Sequence, residues 1–183
     1  DLYDGGIPLD SLYGKMYKNG LIFYFNTSEG TGMVAAQKSQ LSIISSPWGC
    51  LWTNITGINN IDNCHGSITG CDQPIPIELE EGARIGDGKS NTDAIVAECI
   101  DDDIAAKLCR SIGEDWFLPS RGELNLMYVN LHKKGHGNFD PHLFHSSSEA
   151  EHDYLMWYQN FSNGEIHANT KDAPYDFRAA KAF

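Results

Sequence analysis

Residues 115–128 read DWFLPSRGELNLMY, and this stretch decides the fold. Trp116-Phe117-Leu118-Pro119 is a short apolar run closed by proline, the pattern of a buried strand. Ser120-Arg121-Gly122-Glu123 then sets a hydroxyl three residues ahead of a carboxylate, the spacing of a capping box. Beyond it Leu124, Met127, Tyr128 and Leu131 recur at helical spacing and are expected in the core. The run His132-Lys133-Lys134-Gly135-His136-Gly137 ends that helix, with basic side chains near its carbonyl end and glycine after them. A strand, a capped helix and a glycine stop therefore follow in sequence.

Working outward toward the N-terminus, Asp101-Asp102-Asp103 is expected to start a helix carrying Ile104, Ala105, Leu108, Cys109 and Ile112, with Gly113 as its stop. Asn91-Thr92-Asp93 is expected to cap an earlier helix with Ile95, Val96, Cys99 and Ile100. Residues 45–92 are irregular and rich in Gly, Asn, Asp and Pro, which marks long functional loops. Leu21–Phe25 and Met33–Ala36 read as strands of a hairpin around Glu29-Gly30-Thr31-Gly32. Residues 1–19 read as a leader or linker, and residues 20–183 as one domain.

Toward the C-terminus, Phe144–Glu149 reads as a strand running into a loop. Met156–Phe161 and Ile166–Ala168 form a strand pair around Ser162-Asn163-Gly164-Glu165, and Phe177–Phe183 alternates as a last strand. The whole is an α+β chain: an antiparallel sheet, two or three helices and long loops.

The chain has 183 residues and a net charge of −12, from 25 acidic and 13 basic side chains. That balance argues against nucleic acid and anionic membrane as partners. No apolar run approaches the ~18 residues of a membrane span, so no membrane insertion is expected. The chain begins at Asp1 with no charged-then-apolar leader, so any export signal is expected to have been removed or to lie outside this sequence. The cysteines are Cys50, Cys64, Cys71, Cys99 and Cys109. Spacing favours bridges Cys64–Cys71 and Cys50–Cys99 with Cys109 buried and free, and Cys99–Cys109 is the main alternative. Bridges of this kind imply an exported protein, secreted or on a cell surface.

Catalytic signatures are absent. Gly86-Asp87-Gly88-Lys89-Ser90 lacks the first glycine of a phosphate loop, because Ala83 stands there, and it reads as a turn. His132 and His136 straddle a helix end. Ser146-Ser147-Ser148 has no sequence-local base, so no enzyme is expected.

Taken together, DWFLPSRGELNLMY, Ser146-Ser147-Ser148-Glu149, Gln159–Gly164 and the terminal FRAAKAF resemble the C-terminal domain family of Lcl, a bacterial collagen-like adhesin. Gly20–Tyr24, Gly32–Ala36, Trp48-Gly49-Cys50, Ile85–Gly88, Asn91-Thr92 and Ala105-Ala106 extend the resemblance over residues 20–183. The Leu-Pro-x-x-x-Glu-Leu element and Arg-bearing last strand also look like the C-type-lectin-like fold of sulfatase-modifying enzymes, without the late cysteine pair those enzymes use. The resemblance implies a non-enzymatic, lectin-like adhesin module. Two departures stand out: Phe144-His145 replaces the family's Tyr-Trp, so His145 is expected to alter a pocket or surface, and residues 58–82, with Glu78–Glu81, form an insertion. The family's sulfated-glycan ligand fits poorly with the −12 charge.

The ligand is therefore expected to be another glycan or a protein. Loop aromatics Trp52, Tyr154, Trp157 and Tyr175 would stack on it, with His145, Glu149 and Asn160 as polar partners. Calcium would suit the plentiful acidic groups, although no ligand spacing identifies a site. The alternative is a structural subunit of an extracellular assembly, a homo-oligomer in which residues 1–19 contact a neighbour.

Overall fold

The structure is a computed structural model, and it describes residues 8–40, 45–60 and 81–183. Cys64, Cys71 and the acidic residues up to Glu80 lie outside the described residues, and so does the expected Cys64–Cys71 bridge. The described chain is α+β with two sheets rather than one.

The aromatic run forms the first sheet. β2 (Gly20–Asn26) pairs antiparallel with β3 (Thr31–Ala35), flanked by β1 (Met16–Tyr17) and β9 (Ala180–Ala182) in the order β1-β2-β3-β9. Neighbouring residues of a strand face opposite sides. Accordingly Ile22 packs into one core cluster and Phe23 into the other, so both faces of this sheet are covered. The described part of the leader lies on the same body: Leu12 is buried, β1 extends the sheet, and Asp10 pairs with Lys134 at 2.8 Å.

The second sheet has the order β4-β8-β5-β6-β7. The expected meander is present as β5 (Leu143–Glu149), β6 (Leu155–Asn160) and β7 (Ile166–Thr170), all antiparallel. β8 (Tyr175–Asp176) lies parallel to β5, and β4 (Ser45–Ser46) antiparallel to β8. The sequence 116–119 is not a strand; it makes one bridge, Phe117 to Ala180, which ties it to the first sheet.

The helices are α1 (Asp87–Glu98), α2 (Ala105–Arg110) and α3 (Arg121–Asn130). The capping box of α3 is present, with the Glu123 amide donating to Ser120 Oγ at 3.2 Å and the Ser120 amide to Glu123 Oε2 at 2.8 Å. α1 starts earlier than expected, inside the run read as a turn. Asn91 and Thr92 are not caps but buried interior residues, because tertiary partners take their side chains. Thr92 Oγ1 donates to Gly88 O and accepts from Leu118 N, and Asn91 Nδ2 donates to Gly82 O. α2 starts later than expected. Asp101–Asp103 stay exposed ahead of it, and Asp101 and Asp102 spend their carboxylates on Cys50 N and Lys107 instead of on helix amides. Ile100 is 91% exposed rather than on a helix face, because the backbone turns extended at Cys99.

Candidate functional site

The sequence motifs meet in the interior. Ser146, Ser147, Ser148 and Glu149 are all buried. Ser148 Oγ donates to Gly82 O at 2.6 Å and accepts from Arg121 N at 3.0 Å, joining β5 to the start of α3 and to the loop before α1. Ser147 N donates to Pro119 O at 2.7 Å, and Ser146 Oγ to Trp157 O at 2.7 Å. The Ser146 and Ser148 hydroxyls satisfy backbone groups that burial would otherwise orphan, at about 1–3 kcal/mol each.

Glu123 serves two helices. Besides capping α3, its Oε1 accepts from Gly86 N at 2.8 Å at the start of α1. Gly86 has φ 108°, open to glycine at little cost, and Gly88 lies so close that a Cβ there would stand 2.8 Å from Ser120 N. The glycine-rich run thus cradles the chain's own Glu123 carboxyl group. Burial pushes its pKa up to about 7, against the pull of the Ser120, Gly86 and Gly88 amides.

Glu149 and Lys171 form an ion pair with both side chains fully buried. Burial pushes Glu149 up and Lys171 down, and the pairing opposes both shifts. Each partner also holds the chain between them. Lys171 Nζ donates to Thr53 O at 2.6 Å, and Ile55 N donates to Glu149 Oε2 at 3.1 Å. Lys171 O accepts from Trp48 N at 2.9 Å, and Cys50 is bonded to Cys99 with their Cα atoms 5.3 Å apart. Cys109 is buried and free, so of the two bridges weighed for Cys99 the Cys50 one forms.

Between these attachments the chain makes a tight turn. Gly49, Cys50 and Trp52 have φ of 97°, 51° and 65°. For a non-glycine residue that backbone region costs on the order of 1 kcal/mol or more, and such strain gathers at ligand-contacting positions. The turn throws Trp52 outward, 66% exposed, where its ring lies 4.9 Å from that of Tyr154. His152 stacks on Tyr154 at 5.4 Å with the rings 4° from parallel. Tyr154 and His152 come from the turn joining β5 to β6, so the three rings form one aromatic surface above the buried pair.

The candidate residues separate accordingly. Trp52 and Tyr154 come together at the surface. Glu149 is buried beneath them. Trp157 is buried with the Arg121 guanidinium 4.5 Å from its ring centre. His145 is fully buried, its Nε2 2.8 Å from Ser46 O, and burial lowers its pKa to about 4. Its effect is therefore on the interior and on Tyr175, whose half-buried ring lies 5.2 Å away. Asn160 closes a turn, its Oδ1 accepting from Ser162 N at 2.9 Å. Sequence reasoning missed His152; its only signal is its place beside Tyr154 in a polar turn between strands.

One further group was invisible in sequence. Asp140, His142 and Asp176 bring ligand atoms within 4.8 Å of one another, because β8 returns parallel to β5 beside Phe144. Asp140 is paired with Lys38, and His142 Nδ1 lies 2.9 Å from Asp176 Oδ2. Calcium takes about 6–8 oxygen ligands, and this mixed set, with a lysine already on one carboxylate, does not fit it. Among the described residues no other such group forms, and none of the helices is long and apolar enough to cross a membrane. No protein-family model matches this chain, and no curated protein matches it.

Proposed function

We propose that the protein is a non-enzymatic, lectin-like adhesin domain, secreted or on a cell surface, that binds glycan on the Trp52–Tyr154–His152 surface. The observation that carries this reading is Trp52 itself. A tryptophan left 66% exposed, on a strained backbone fastened at both sides, forgoes roughly 1–2 kcal/mol of burial and packs against a second ring tilted 44° to it. Saccharide faces pack on flat aromatic surfaces of this kind, and polar groups at the edge orient them. The Cys50–Cys99 bridge supports an oxidising compartment. The α+β architecture agrees with the fold class of this reading. The assembly alternative requires the leader to lie on a neighbour, and residues 8–17 lie on this chain's own sheet, so it has less support.

A glycan array with the intact protein and with Trp52→Ala tests the reading. Selective binding that Trp52→Ala abolishes, with unchanged thermal melting, is the expected result. Binding that survives the substitution, or no binding to any glycan, overturns it.

A further inference from the structure

The charge around the aromatic surface narrows what it takes. Carboxylates border the Trp52 turn from two elements. From the end of α1, Glu98 accepts the Thr56 amide at 3.1 Å and Asp101 lies 3.5 Å from Cys50 N. From the β5–β6 turn, Glu151 and Asp153 flank His152 immediately beside Tyr154. Glu98, Asp101 and Glu151 are exposed, and Asp153 is half-buried. The ammonium that reaches this turn, Lys171, is fully buried and committed to Glu149 and Thr53 O, so it offers nothing to an anion. The surface therefore pairs packed aromatic rings with an anionic border.

Resting on the glycan reading above, we infer that this surface selects saccharides bearing free amines, a polymer of unacetylated hexosamine. The pyranose face packs on Trp52 and Tyr154 while its ammonium groups meet the carboxylates of Glu151, Asp153 and Asp101. An acetylated sugar keeps the packing and loses the charge. A sulfated sugar keeps the packing and meets repulsion. A lysine-rich peptide shares the charge and lacks the flat face.

Titration calorimetry with three probes tests this: a β-1,4-linked glucosamine hexamer, its fully N-acetylated counterpart, and a lysine hexapeptide. Exposed ion pairs contribute modestly, so about tenfold tighter binding of the glucosamine hexamer than of the acetylated one is expected in 50 mM salt, shrinking toward parity at 1 M as screening shortens to ~3 Å. Glu151→Gln with Asp153→Asn should remove that preference, whereas Trp52→Ala should weaken both sugars. Equal binding of the two hexamers, or tighter binding of the acetylated one, overturns the amine preference and leaves the aromatic surface standing. No binding of either hexamer overturns the hexosamine proposal, and the glycan array then decides the glycan reading separately. Lysine hexapeptide binding as tightly as the glucosamine hexamer, and indifferent to Trp52→Ala, overturns the choice of a saccharide.

Discussion

Removing one partner of the Glu149–Lys171 pair should cost about as much as removing both, so the two single losses should not add. Lys171→Met leaves the Glu149 carboxylate buried with Ile55 N as its one donor among the described residues, and Glu149→Leu leaves an ammonium facing Thr53 O in the same place. Each change strands a charge in the interior, at about 3–5 kcal/mol. In the double variant no charge remains, and the loss is that of two unpaired backbone groups, Ile55 N and Thr53 O, at about 1–3 kcal/mol each. The singles together should thus exceed the double by about 3–4 kcal/mol. For a chain of this length a single variant should melt about 10 °C lower. Equilibrium unfolding in urea, with the disulfide kept oxidised, gives all corners of the cycle. Single variants costing under about 1 kcal/mol, or a double costing the full sum, would show that the pair is not charged and coupled as described.

Other consequences are open to direct measurement. Cys50→Ala with Cys99→Ala opens a link between residues 49 apart and should cost up to about 4 kcal/mol by chain entropy, read from the same urea curves. It should also weaken glycan binding, and unchanged affinity would mean the bridge does not hold Trp52 in place. Gly88→Ala sets a Cβ 2.8 Å from Ser120 N and against the Glu123 carboxylate, so it should cost about 2–3 kcal/mol, where an ordinary helix glycine replaced by alanine gains stability. The pH response has opposing parts. The folded chain refuses a proton at His145 until about pH 4 while the unfolded chain takes one near 6.5, so that contribution is full above 6.5 and lost as pH falls through 4. Glu123 holds its proton to about pH 7 when folded and releases it near 4.5 when unfolded, so its contribution is full below 4.5 and lost as pH rises through 7. Between pH 4.5 and 6.5 the two nearly cancel: Glu123→Gln should make stability climb with pH, and His145→Phe should make it fall. Denaturant midpoints across that window with the opposite slopes would refute the assignment.

Much of the frame was legible because it rests on local rules. The capping box at Ser120 and Glu123, the hairpin of β2 and β3 and the β6–β7 pair each follow from spacing within a few residues. What was not legible depends on partners distant in sequence. Asn91 and Thr92 look like caps until Gly82 and Leu118 claim their side chains, and Glu123 reveals its second duty only when Gly86, 37 residues earlier, folds against it. The same holds for the site. Glu149 and His145 stand out as motif residues and Trp157 as a loop aromatic, yet a motif of serines and a glutamate is also what a buried network of backbone acceptors requires. Trp52 and Tyr154 were named for their type and loop position; that they meet, and that His152 joins them, depends on Lys171 and Glu149 gathering the Thr53–Ile55 chain over the β5–β6 turn.

The arrangement of the four tryptophans gives the molecule an optical reporter of its own surface. Trp48, Trp116 and Trp157 are at most 5% exposed, whereas Trp52 faces solvent. Collisional quenching of the native fluorescence should therefore act on Trp52 almost alone. Beside Glu98, Asp101 and Glu151, a cationic quencher such as caesium should reach it more effectively than iodide, and the two should converge at high salt. A ligand seated on the ring would shield it from both, so occupancy can be followed in unlabelled protein.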